Sequence, residues 1–210
     1  MKRTLICMLF ASMLTAAPLF AQSAPPPGNA QAFLAFTGGS VWTSQTTGTC
    51  IWYFPVLGDL PLTSLFASEN GSPVIDKDHA YFLWVSDWSI AAMAENQGFG
   101  GSKMTMAVLP VGKATIYYSE NPGNRDWKDR STWGVPVATF VRGAGLFQSP
   151  DGFELTDRFI FSAQLTASRE ITLQGRPFNF RSVMPHGMSC FEFGQKSSTT
   201  ETGACIAMGN

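Results

Sequence analysis

Asp157-Arg158-Phe159-Ile160-Phe161-Ser162-Ala163-Gln164-Leu165-Thr166-Ala167-Ser168 alternates in character almost without a break. Phe159, Phe161, Ala163, Leu165 and Ala167 fall on one side of an extended chain. Arg158, Ser162, Gln164 and Thr166 fall on the other, with Ile160 the exception. Period-two alternation is the signature of a strand with one buried face. At about 3.3 Å per residue such a strand spans ~40 Å. That length suits a coiled or closed sheet better than a small flat one.

Working outward, further strands are predicted at 33–36, 41–43, 50–56, 79–86, 103–109, 113–119, 135–142, 146–148, 170–173, 177–183 and 189–193. Their spacing is the 8–12 residues of sandwiches and barrels. Residues 79–86 are apolar on both faces, with Tyr81, Leu83 and Val85 on one and Phe82 and Trp84 on the other, so both sides need cover. Gly38-Gly39 reads as a turn between two strands, Asn121-Pro122-Gly123-Asn124 as a turn, and 98–103 as a hairpin loop. Helix is scarce: residues 88–97 carry helix formers and end at Gly98, and 62–66 suit one helical turn. The expected fold is an all-β antiparallel barrel with one or two short helices. A β-sandwich is the alternative.

The N-terminus has the layout of a secretory signal: Lys2 and Arg3, an apolar run over 5–14, then small residues around Pro18, with cleavage expected after Ala21. The apolar run is too short for a spanning helix, which needs about 20 residues, and no later segment is long enough. Residues 22–31 form a Pro-rich leader, 32–194 the expected barrel domain, and 195–210 a C-terminal tail. Of 14 Lys and Arg, Lys2 and Arg3 leave with the signal, so 12 basic side chains face 15 acidic ones. That balance disfavours nucleic acid, which wants clustered positive charge. An outer-membrane barrel is disfavoured by the doubly apolar strands, since it alternates a lipid face with a polar lumen.

Cys7 lies within the signal, leaving Cys50, Cys190 and Cys205. Export favours a disulfide. Three pairings are open, and Cys190–Cys205 is favoured because it closes a polar segment near the C-terminus. Cys50 sits in an apolar run and reads as a buried thiol.

The stretch Val141-Arg142-Gly143-Ala144-Gly145-Leu146-Phe147 resembles the glycine-bearing strand pair of calycin-type barrels, those of allene oxide cyclase type in particular. The resemblance rests on a short Gly-x-Gly-x-Phe pattern. It implies a barrel whose mouth holds a small apolar ligand, and it carries no catalytic residue onto this chain.

Signatures of zinc proteases, phosphate loops, dinucleotide folds and serine hydrolases are absent from the sequence. No metal or cofactor is expected. Three groups of residues carry possible chemistry. Asp76-Lys77-Asp78-His79 could hold a divalent ion or act as acid and base, or be turn residues. His186-Gly187-Met188-Ser189-Cys190 places a thiol near an imidazole, though oxidation competes for the thiol. Trp84, Tyr117, Arg142, Arg158 and Arg181 could line a lumen, where an arginine can clamp a carboxylate bidentately; the alternative is that the arginines face solvent and the aromatics are core. Arg142 is expected on the Phe140 face and Arg158 opposite Phe159 and Phe161. Residues 124–130 read as an exposed loop in which Trp127 needs a partner, and Asn70-Gly71-Ser72 matches a glycosylation acceptor at a turn.

With 17 Phe and 6 Trp and only 14% charged residues, the leading expectation is an exported module that binds a small hydrophobic or amphipathic ligand. An isomerase, cyclase or hydrolase with dispersed catalytic residues is the second. A surface or carbohydrate-contacting module built on Trp127 and Trp133 is the third.

Overall fold

The computed structural model describes residues 33–44, 46–97, 103–150, 156–195 and 200–208. The signal and leader over 1–31, and positions 98–102 of the expected hairpin loop, lie outside the described residues. In chain order the strands are β1 (Phe33–Trp42), β2 (Thr47–Leu57), β3 (Ser68–Glu69), β4 (Ser72–Pro73), β5 (Phe82–Ser89), β6 (Ala92–Gln97), β7 (Lys103–Leu109), β8 (Gly112–Tyr118), β9 (Val135–Arg142), β10 (Gly145–Pro150), β11 (Thr156–Ser168), β12 (Ile171–Leu173), β13 (Arg176–Phe178), β14 (Gly187–Gln195) and β15 (Thr200–Ala207). Two single-turn helices accompany them, α1 (Leu62–Leu65) and α2 (Phe180–Val183).

Eight antiparallel strands, in the order β1-β2-β5-β8-β9-β11-β14-β15, close on themselves, because β15 pairs with both β1 and β14 and β11 pairs with both β9 and β14. Closure rules out the sandwich alternative. It also removes the free edges that an open sheet of this length would expose. The long strand β11 serves two partners on one edge: residues 163–168 hold β9, and residues 158–160 hold β10. From β10 the sheet continues outward through β7 to β6, a three-stranded extension standing on the upper end of the barrel.

The alternation of β11 is realised. Phe159, Phe161, Ala163 and Leu165 are buried, while Arg158, Ile160, Ser162, Gln164 and Thr166 face out. Ala167 departs from the expected pattern and is exposed, because a register shift between Leu165 and Ala167 turns the chain over.

Inside, Trp52, Trp84, Phe36, Phe54 and Phe161 pack ring against ring, with centroids 4.8 to 6.2 Å apart. The lower end, where β1 starts and β2 finishes, is sealed by α1, α2 and the β12–β13 hairpin. Phe66, Leu173, Phe180 and Met184 are buried there, and Phe82 meets Phe180 edge-on at 5.3 Å. The Ser64 hydroxyl donates to Gln174 Oε1 at 2.8 Å and ties α1 to the hairpin turn. The lower and middle interior is therefore filled by the chain's own aromatics.

The double apolarity of 79–86 also has its explanation. Phe82 and Trp84 point in, while Leu83 and Val85 are buried on the outside. A strap over 119–134 runs along the outside of β5, from the Ser119 amide on the Tyr81 carbonyl to Arg130 on Asp87. Its centre is Arg125, which is buried and donates to the carbonyls of Trp133, Ala80, Tyr81 and Lys77. Burial pushes its pKa down to about 10, so it remains charged at neutral pH. Arg125→Met removes these bonds, the buried ones to Ala80 and Trp133 among them, and is expected to cost roughly 2 kcal/mol. Proteolysis within 119–134 should accelerate in that variant, and an unchanged cleavage rate would show that Arg125 does not hold the strap.

Several expectations are corrected. Gly38-Gly39 is not a turn: β1 runs straight through it. A Cβ at Gly38 would sit 2.0 Å from the Ile51 carbonyl oxygen, so the glycine is there for close approach to β2. Residues 88–97 are not a helix but the end of β5 and the whole of β6, where pairing with β7 overrides helix propensity. Residues 177–183 form the end of β13 and then α2, which begins where the Asn179 side chain accepts from the Arg181 amide. The segment 195–210, expected as a tail, carries β15, a full member of the barrel.

Candidate functional site

The upper interior differs from the rest of the core in being polar. Cys50 lies in register between Ser40 of β1 and Ser86 of β5. Burial first, and then the carboxylates of Glu201 and Glu192, push the Cys50 thiol well above its ordinary range, so it is an inert neutral thiol. Trp52 donates its indole N–H to Glu201 Oε2 at 2.9 Å. Gly38 stands between these two residues in the cross-strand row and leaves the path open.

Arg142 is the last residue of β9 and shares the inward face of Phe140, as the alternation predicts. It is 1% exposed. Its guanidinium lies over Gly112, where a Cβ would come within 2.6 Å of Nη2, and its carbon is 5.8 Å from the Phe159 ring centre. Nη2 donates to the Pro110 carbonyl at 3.2 Å. Nε and Nη1 have no hydrogen-bond partner, nor do Ser86 Oγ and Trp84 Nε1 on the neighbouring inward positions of β5. Burial lowers the pKa of Arg142 from its ordinary value.

The glycines of the 141–147 stretch sit where β9 passes into β10. Gly143 donates its amide to the Ser162 carbonyl at 2.8 Å, and a Cβ on Gly145 would strike the Phe159 ring at 2.4 Å. They let the sheet bend tightly over Phe159, which carries the guanidinium.

Comparison with known proteins matched no family model, no curated protein and no solved structure. What this end of the barrel can hold therefore follows from its own donors and acceptors. Two unpaired nitrogens of one guanidinium in a water-poor interior call for an acceptor-rich partner.

Of the five residues expected to line a lumen, Trp84 and Arg142 are buried on inward positions, Trp84 in the aromatic cluster and Arg142 above it. Arg158 faces solvent on the outer side of β11, and Arg181 is exposed on α2 at the sealed end. Tyr117 is on the outer face of β8. There it borders a groove of about 160 Å³ with Val85, Asp87, Lys113, Thr115 and Arg130, in which Arg130 clamps both oxygens of Asp87 at 2.9 and 3.0 Å. Cys50 is the buried thiol expected from its apolar run, whereas Ser86, Glu192 and Glu201 were not singled out from sequence. The signal was present for Ser86, which continues the inward series Phe82, Trp84.

The other two groups resolve differently. Cys190 is bonded to Cys205 and offers no thiolate. His79 has Asp76 Oδ1 at 2.8 Å from Nδ1 and Glu69 Oε1 at 2.9 Å from Nε2. Both ring nitrogens face carboxylates, so neither is open to take a proton from a substrate. Among the described residues, no cluster of three or more side chains suited to a metal occurs. Asn70-Gly71 forms the exposed tip of the β3–β4 hairpin, both residues with positive φ. Trp127 finds its partner within the chain: it donates to Asp78, packs on Trp133 and takes Lys77 against its ring at 4.2 Å. Trp133 is buried.

The Asp76 carboxylate first, and then Glu69, raise the His79 pKa. A raised folded-state pKa contributes stability fully present below the unfolded value of about 6.5 and lost as pH rises through the folded value. The melting temperature of the wild type should therefore exceed that of His79→Gln at about pH 5.5, and the two should converge by about pH 9. A gap that does not change with pH would refute the clamp.

Proposed function

We propose that this chain is an exported binding module of calycin-like architecture that takes a small amphipathic ligand at the upper mouth of its barrel. The observation that carries this reading is the pair of unpaired donors on one buried guanidinium, Arg142 Nε and Nη1, at the upper end of the barrel. Unpaired buried polar groups cost stability, and a charged one costs most. Groups kept at such a cost mark a place where something else supplies the partner. The signal layout and the Cys190–Cys205 bond support maturation outside the cytosol. The Gly-x-Gly-x-Phe bend over Phe159 and the closed eight-stranded sheet support the calycin likeness.

The filled interior leaves the mouth, where binding is expected, as the place for a ligand. An oily guest deep in the lumen has no room among Phe36, Trp52, Trp84 and Phe161, so binding belongs to the mouth. Native mass spectrometry of protein exported with its own leader is the test. A small molecule retained in the gas phase and released on unfolding is the expected result. Protein that carries no added mass, and whose tryptophan emission is unmoved by any of a panel of amphiphiles, would mean that water satisfies these groups and would end the reading.

A further inference from the structure

The geometry points to a monocarboxylate with an apolar tail as the ligand class, its head on the free edge of Arg142 and its tail along the row Phe159, Phe147, Ala107 and Met93. This deepens the mouth-binding reading and rests on it. The two unpaired nitrogens, Nε and Nη1, belong to one planar guanidinium whose third nitrogen is already committed to Pro110. Parallel N–H groups on a guanidinium match the two oxygens of a carboxylate. A buried cation without a counter-charge is among the costliest groups a fold can carry, and an incoming carboxylate removes that cost in one step.

The position of the tail follows from register. Phe159 pairs with Phe147, Phe147 with Ala107, and Ala107 with Met93. These four lie in one cross-strand row on the inward face of the extension. Phe159, at the head of the row, lies under the guanidinium. Met93, at the far end, is 60% exposed. The row is an apolar path from a buried cation to solvent, the outline of an amphiphile with one polar end. Glu192, the cross-strand partner of Phe159 on its other side, is also buried, and Glu201 stands beyond it near Cys50.

Calorimetric titration of the disulfide-bonded chain with decanoate, decanol and decanedioate tests this. Decanoate should bind, and decanol, with the same tail and no charge, should bind roughly ten- to hundredfold more weakly. Decanedioate should be weaker than decanoate, because its second carboxylate would lie on the apolar row. Arg142→Met, which keeps the length and removes the charge, should bring decanoate down to the level of decanol. Gly112→Ala, which pushes the guanidinium aside and leaves its charge, should weaken decanoate and spare decanol. Arg142→Met should melt no lower than the wild type, since it removes an uncompensated buried charge. Decanol binding as tightly as decanoate, or decanoate binding unchanged in Arg142→Met, would overturn the carboxylate assignment while leaving mouth binding intact. Failure of all three probes to bind the wild type would overturn the assignment, and mouth binding would then stand or fall on the native mass measurement.

Discussion

Trp84→Ala is expected to destabilise the barrel by roughly 3–5 kcal/mol. With about 2–4 °C per kcal/mol for a chain of this size, the melting temperature should fall by roughly 10 °C. Trp84 is completely buried. Its ring meets Trp52 at 4.8 Å, Phe36 at 5.3 Å, Phe161 at 5.8 Å and Phe54 at 5.9 Å. Those neighbours come from β1, β2 and β11, so the indole joins walls of the barrel that are distant in sequence. They are held by closed strands and cannot collapse into the space left behind, which is the condition for the upper part of the cost range. Phenylalanine provides the internal control. Trp84 Nε1 has no hydrogen-bond partner, so Trp84→Phe gives up packing alone. Trp52 Nε1 donates to Glu201, so Trp52→Phe gives up packing and also a hydrogen bond to a carboxylate. Urea unfolding should therefore rank Trp84→Phe as the milder change, with Trp84→Ala far below both. A loss under about 1 kcal/mol for Trp84→Ala would mean that the aromatic cluster is not the packed centre described above.

The same cluster shows how far the sequence alone could be read. Alternation in 158–166 and 82–85 assigns inside and outside correctly, because period two survives whatever the partner strand is, and it fails at Ala167 where the register shifts. It also places Arg142 inward with Phe140. What alternation cannot supply is the set of partners. That two nitrogens of Arg142 go unanswered depends on Gly112, Pro110 and Phe159, which approach from β8, the β7–β8 connection and β11. The helix expected over 88–97 rested on Ala91, Ala92, Met93, Ala94 and Glu95, all acceptable helix formers. Their fate was decided instead by Lys103–Leu109, which offers a full ladder. Gly38-Gly39 looks like a turn in isolation and becomes a strand because Trp52 and Ile51 must come close. The last strand was the hardest to see. Thr200–Ala207 pairs with Phe33–Trp42, at the opposite end of the chain, and no local pattern announces so distant a partner.

That last strand is also where the covalent bond acts. Replacing Cys190 and Cys205 together by alanine is expected to cost about 3 kcal/mol, the loop-closure contribution for a segment of this length. The two residues are 15 apart in sequence and directly opposite each other on β14 and β15. Without the bond the unfolded chain regains its freedom, while the ladder between these strands is left to hold β15 alone. The consequence is local before it is global. β15 closes the barrel by bridging β14 and β1, so its departure opens the sheet on both sides and uncovers Leu34 and Phe36, whose cross-strand partners are Cys205 and Gly203. Hydrogen exchange should show this as faster exchange confined first to β15 and the facing edges of β1 and β14, with β5, β8 and β9 still protected. The melting temperature should fall by roughly 6–12 °C, and reduction of the wild type by dithiothreitol should reproduce the change. Cys50→Ala is the contrast. It removes a buried thiol from the upper interior and makes no covalent difference, so any effect it has must come from packing beside Ser40 and Ser86. If the double cysteine variant melts with the wild type, the barrel is closed by its hydrogen-bond ladder and packing, and the bond adds nothing to the fold.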